Sequence, residues 1–181
     1  MSYTELYKID KNEDVHLYKE YQNSHLGAMF LWRILIEEYF PKVKYYWELL
    51  NGDEQYKFWD LHKRDDFPKY LGKVLQSTYD NVVIERCDLI QLSKDFNEFA
   101  LKYDKDNNSH FSKYSEDLNK MLEEDKDFFG ICWNQTSING NPWTVYEENE
   151  DEESEKYGEV IEDRCYNIDK DIFNEQWKLN F

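Results

Sequence analysis

Apolar and polar positions interleave through the first 22 residues, where TELYKI leads into the polar run DKNED and VHLYKEY follows. That pattern predicts a β-hairpin, with Tyr3, Tyr7 and Ile9 sharing one face of the first strand and Val15, Leu17 and Tyr21 a face of the second. From Asn23 or Ser24 the period lengthens to that of a helix. Leu26, Met29, Ile36 and Phe40, with Trp32 and Leu35 beside them, recur at spacings of three, four and seven, and Pro41 stops the run. A core helix packed on a sheet follows from this.

The stretch from Lys42 to Arg64 is rich in aromatics but has no clean period, so it predicts only short elements, with a turn at Asn51–Gly52 and an element around Trp59. Asp66-Phe67-Pro68 opens a short helix through Leu75, with proline in the first turn where its missing N–H costs nothing. The β-branched run VVIERC, residues 82–87, predicts a strand. Asp88 with Gln91 three residues on resembles a capping box for a helix whose stripe is Leu89, Leu92, Phe96, Phe99 and Tyr103. A breaker run, DKDNNS, separates it from a second helix striped by Phe111, Tyr114, Leu118, Met121 and Leu122. FFGICW then predicts a central strand. Asn139–Gly140 marks a further hairpin turn, Val160 and Ile161 a last strand, and Ile172, Phe173 and Trp177 a terminal helix. The architecture expected is a single α+β domain over residues 1–181: a mostly antiparallel sheet of five or six strands with packed helices.

Composition supports one domain. A chain of 181 residues and 22.2 kDa buries about 70 % of its unfolded surface, and 32 aromatic residues supply the core. No apolar run approaches a membrane span, and the start MSYTELYKID lacks the basic-then-apolar order of a signal peptide, so a cytoplasmic setting is expected. Cys87, Cys132 and Cys165 are odd in number and form no CxxC pair, which predicts small buried hydrophobes rather than a zinc or redox site. The chain is rich in lysine and asparagine and has alanine only at Ala28 and Ala100. AT-rich codons give this skew, pointing to a low-GC bacterium or its phage.

Charge changes the picture most. With 39 acidic and 22 basic residues the net is −17, which opposes non-specific binding to nucleic acid or to an anionic membrane. The acids are unevenly spread. Residues 147–155 read EENEDEESE and hold Glu147, Glu148, Glu150, Asp151, Glu152, Glu153 and Glu155, seven acids in nine positions. Residues 147–163 hold ten acids and one lysine, a net of −9, leaving −8 for the rest of the chain. An acidic loop at 147–155 is therefore expected to make the partner-binding surface.

Motifs for chemistry are sparse. Asp104, Asp106 and Asn108 fall on the first, third and fifth positions of an EF-hand loop, but Ser109 stands where glycine is needed and Ser115 where a bidentate glutamate is needed. A solvated interhelix loop is the better account, and no metal or cofactor is expected. Metal-independent RNA cleavage needs a base, an acid and a cation at one phosphate, for which His25 or His62 with Lys63 or Arg64 are the candidates. Asp60, Asp65 and Asp66 are close in sequence, as acids often are in a chain of this composition. Trp133, Asn134, Gln135 and Thr136 leave a hydrophobic strand for a turn, where polar groups can face a ligand; the plainer reading has Trp133 and Trp143 capping the core and Asn134 and Thr136 satisfying the turn.

Two segments, NSHLGAMFLW at 23–32 and WNQTSING at 133–140, resemble a family of small acidic proteins encoded by phages and prophages of low-GC Gram-positive bacteria. The resemblance implies an anti-defence role, anti-CRISPR inhibition included, and carries no catalytic signature. Together with the charge it gives the leading expectation: a protein that inhibits a host nucleic-acid-handling effector, a CRISPR–Cas9 complex with its guide RNA above all, by occupying a basic surface as a nucleic-acid mimic. A nuclease that cuts guide RNA when the effector presents it, and a non-enzymatic phage structural or regulatory protein, are the alternatives.

Overall fold

The computed structural model describes residues 2–12, 14–45, 49, 55–78, 83–134, 145–148 and 160–163. In chain order the elements are strands β1 (Tyr3–Ile9) and β2 (Val15–Gln22), helices α1 (Ala28–Tyr39), α2 (Gln55–Trp59) and α3 (Lys69–Ser77), strand β3 (Ile84–Glu85), helices α4 (Leu89–Tyr103) and α5 (Phe111–Glu124), and strands β4 (Gly130–Asn134), β5 (Val145–Glu148) and β6 (Val160–Asp163). Four strands form an antiparallel sheet in the order β2-β1-β4-β3, while β5 and β6 pair as a two-stranded ribbon. The class is α+β. The expected five or six strands are thus divided, four in the sheet and two in the ribbon, among the described residues. The turn signals at Asn51–Gly52 and Asn139–Gly140, and the terminal helix, lie outside the described residues.

The hairpin forms where its polar turn permits it. Asp10 Oδ1 accepts the backbone N–H groups of Asn12 at 2.8 Å and Asp14 at 3.0 Å, the local bonding that lets a short acidic side chain shape a turn. Its faces differ from expectation. Leu6 pairs with Lys19 but Tyr7 with Leu17, so Tyr18 is an extra residue in β2, a bulge that re-phases the strand. Val15, Tyr18 and Tyr21 pack against the core in consequence, and Leu17 is 52 % exposed. On β1 the buried positions are Thr4, Leu6 and Ile9, with Tyr3 exposed and Tyr7 half-buried.

Between β2 and α1 the chain makes a 3₁₀ turn, Ser24–Leu26, capped by Asn23 at φ 67°, and α1 begins only at Ala28. The buried face of α1 is Ala28, Leu31, Trp32, Leu35 and Ile36. Trp32 donates from Nε1 to Thr78 Oγ1 at 2.8 Å, fixing the helix to the end of α3. In α3, Gly72 sits where a Cβ would stand 3.1 Å from the His62 Cβ, so the missing side chain allows the 3₁₀ turn Asp60–Lys63 to lie close.

The strand expected over 82–87 shortens to Ile84–Glu85, because Arg86–Asp88 winds into a 3₁₀ turn leading to α4. Asp88 is itself near-helical, at φ −90° and ψ −14°, and makes no side-chain cap bond; Gln91 donates instead to Asp95 Oδ1, one turn on, at 2.8 Å. The expected capping box is therefore replaced. The stripes of α4 and α5 bury as predicted, Leu92, Phe96 and Phe99 meeting Phe111, Tyr114 and Leu118. Trp133 of β4 closes this layer, its ring 4.5 Å from that of Tyr114 and 6.1 Å from that of Phe96. Each such ring, fully buried, contributes about 2 to 3 kcal/mol from apolar burial alone. Cys132 is buried as expected, whereas Cys87 lies in the exposed 3₁₀ turn and Cys165 falls outside the described residues. Burial and the neighbouring Asp88 and Glu85 push the Cys87 thiol up, away from the reactive thiolate.

Candidate functional site

The basic candidates occupy separate turns. His25 is exposed in the 3₁₀ turn before α1, its backbone N–H donating to Asn23 Oδ1 at 3.3 Å. His62 belongs to the turn after α2, its Nδ1 2.6 Å from the Trp59 carbonyl oxygen, so Nδ1 carries the donated proton. Burial pulls the His62 pKa below its ordinary value, against the raising effect of that carbonyl. Lys63 pairs with Asp60 at 2.7 Å. Arg64 forks onto Asp66 at 2.9 and 2.7 Å and lies over the Tyr39 ring at 5.5 Å. Their mutual hydrogen bonds raise the Arg64 pKa and lower that of Asp66. No hydrogen bond or ion pair joins His25 to residues 60–64 among the described residues, and the cations beside His62 each face an adjacent carboxylate. Among the described residues no group of three His, Cys, Asp or Glu is placed to hold a metal ion.

The last two residues of β4 take two roles. Trp133 is fully buried at the centre of the core and faces no solvent-accessible ligand. Asn134 donates from Nδ2 to Glu5 Oε2 at 3.1 Å, and the same oxygen accepts the Tyr7 hydroxyl at 2.7 Å. Asn134 and Glu5 are register partners of β4 and β1, which is why their side chains meet. Burial, and then the bond to Glu5, raises the Tyr7 pKa. Gln135, Thr136 and Trp143 lie outside the described residues.

The pseudo-EF-hand segment is a capping loop. Asp104 accepts the backbone N–H groups of Asn108 and Ser109, both at 2.7 Å, and the Ser109 hydroxyl at 2.5 Å. With its oxygens so occupied, Asp104 shapes the entry to α5. An open groove of about 500 Å³ runs beside it, lined in part by Asn97, Leu101, Lys105, Asn107 and Glu116.

A polar cluster that the periodicity passed over links β2 to α5. Asp117 accepts Lys19 Nζ at 2.7 and 2.6 Å and the Tyr21 hydroxyl at 2.7 Å. Burial, then the bond to Asp117, raises the Tyr21 pKa. The available signal was an acid three residues after Tyr114 on an apolar helix stripe, where an unpaired carboxylate would be costly.

The acidic segment starts inside regular structure. Glu147 and Glu148 end β5, in register with Ile161 and Val160 of β6, so the first two acids of the loop expected at 147–155 belong to a strand. Glu150, Asp151, Glu152, Glu153 and Glu155 lie outside the described residues. By connectivity, residues 149–159 join the paired ends of the two strands. Compared with known proteins, the chain matches no family model, no curated protein and no solved structure.

Proposed function

We propose that this chain is an acidic inhibitor that docks on the basic nucleic-acid-binding surface of a host effector protein. A CRISPR–Cas9 complex with its guide RNA is the partner whose chemistry fits best, since its channels are lined to hold polyanions. The observation that carries the reading is the concentration of charge: a net of −9 within residues 147–163 of a chain at −17. Such a field speeds association with a basic cleft by about 10- to 1,000-fold and suppresses binding to other acidic surfaces. The β5–β6 pairing is compatible with this role, because it brings the two ends of the acidic connection together. The resemblance of residues 23–32 and 133–140 to small phage-encoded proteins supports an anti-defence setting in the bacterial cytoplasm.

Occupation of the surface, rather than chemistry, is the mode proposed. Among the described residues Lys63 and Arg64 are paired with Asp60 and Asp66, so RNA cleavage through His62 would first have to draw a cation away from its carboxylate. Target-DNA cleavage by a guided Cas9 effector, assayed with the protein added and with the guide RNA recovered on a denaturing gel, tests the reading. Cleavage blocked in proportion to added protein, with intact guide, is the expected result. Shortened guide, lost in a His62→Ala variant, would replace the blocker with a nuclease, and undiminished cleavage would remove this partner.

A further inference from the structure

His110 sits at the start of α5 with a ring that has one tautomer open to it. Its Nε2 lies 2.8 Å from the Gln22 carbonyl oxygen and 3.2 Å from that of Asn23, two acceptors that require Nε2–H. Its Nδ1 is buried and has no hydrogen-bond partner among the described residues, and the residue as a whole is 5 % exposed. The neutral ring thus has its one donor bonded and only an acceptor nitrogen unfilled, whereas a ring protonated on both nitrogens would bury a charged donor that has no acceptor.

The carbonyls that His110 holds belong to the turn between β2 and α1. Asn23 stands at φ 67°, a left-handed conformation that asparagine tolerates better than most residues, and its N–H donates to the Ser2 carbonyl at 2.8 Å. The His110 backbone N–H reaches the same turn, donating to the Leu26 carbonyl at 2.8 Å. The residue that caps α5 thus grips the end of β2 and the turn after it at three carbonyls. Facing the ring are the Tyr21 ring of β2 at 5.5 Å and, on α5, the Tyr114 ring at 5.9 Å and the Lys113 ammonium. Among the described residues no carboxylate acts on the imidazole, and only the two backbone carbonyls favour a positive charge.

We propose that His110 is a proton-operated latch: neutral, it holds the β2–α1 turn against the start of α5, and protonation at Nδ1 in mild acid lets that turn open. Burial first, and Lys113 in addition, lowers the pKa below its ordinary 6.5, outweighing the two carbonyls that raise it. The sign follows. A folded pKa below the unfolded one means that the closed form binds fewer protons, so the latch is fully effective above pH 6.5, weakens as pH falls from there toward the lowered value, and weakens no further below it.

The test combines an NMR titration of the His110 ring in the full chain with amide exchange of residues 26 and 110, corrected for intrinsic rates, between pH 7.5 and 5 (about the range over which histidine titrates). The ring should remain neutral below pH 6.5, and the opening constant of both amides should rise in acid by up to about tenfold per pH unit, the limit for one linked proton. His110→Gln, which keeps an N–H donor and cannot titrate, should exchange with little pH dependence. A ring that titrates at or above 6.5, or the same acid response in His110→Gln, overturns the latch. Should that variant fail to fold, the wild-type titration decides alone: opening that does not follow ring protonation contradicts the proposal.

Discussion

At Gly130 the sheet leaves no room for a side chain. A Cβ there would stand 2.3 Å from the Ile84 carbonyl oxygen, and the obstacle is backbone, which cannot swing aside. Gly130→Ala should therefore push β3 from β4 and cost about 1 to 3 kcal/mol, read as a lower urea midpoint; an unchanged midpoint would show that β3 moves freely. Asp95 poses the opposite problem, a carboxylate 2 % exposed on α4 with Gln91 bonded to Oδ1 and no partner at Oδ2 among the described residues. Burial raises its pKa, against the lowering influence of Gln91 and Lys73. Because the folded value lies above the unfolded one, ionisation penalises the fold at neutral pH and the penalty fades as pH falls toward 3.8. Asp95→Asn should be more stable than wild type at pH 7, by on the order of 1 kcal/mol, with the gain shrinking in acid. Equal stability at both pH values would deny the buried charge.

The elements are joined by a small number of directed contacts laid over a broad apolar core. Asp117 is one such contact, holding Lys19 and Tyr21 of β2 to α5. Asp117→Ala strands the buried Tyr21 hydroxyl and should cost about 1 to 3 kcal/mol, while Tyr21→Phe leaves the Lys19 pair and should cost about 1 kcal/mol. A double-mutant cycle by denaturant unfolding checks this; additive losses would show that the two groups do not interact. The same elements show what could be read in advance. The stripes of α4 and α5 were legible because each repeats over 14 residues or more, long enough for the helical period to dominate. The faces of β2 were not, since a bulge at Tyr18 changes phase within eight residues and leaves no compositional mark. The Asp88–Gln91 spacing matched a cap locally but met a backbone already helical at Asp88. His62, Lys63 and Arg64 were legible as chemistry-bearing residues, but sequence offers no way to see that each cation faces an acid within three residues. Asp117 gave no signal in the apolar pattern because it is a polar residue set between Tyr114 and Leu118 of the stripe.

Across the whole molecule the governing quantity is where the charge lies. Some acids of the folded helices, sheet and turns sit beside lysines: Asp125 by Lys8, Asp127 by Lys11, Asp117 by Lys19 and Glu124 by Lys120. Residues 147–155 have seven acids and no basic residue, and across 147–163 Lys156 stands alone against ten acids. If that segment drives docking, replacing its seven acids with Gln or Ser should change the free energy of unfolding by no more than about 0.5 kcal/mol per site. Affinity should change far more. The decisive measurement is the dissociation constant for a Cas9–guide complex, for wild type and the neutralised variant, at salt from about 0.05 to 0.3 M, where screening shortens the reach of charge. The account predicts that wild-type binding weakens steeply with salt and that the variant binds at least about tenfold more weakly at low salt with a nearly flat dependence. Equal affinities and equal salt slopes for the two proteins would contradict it.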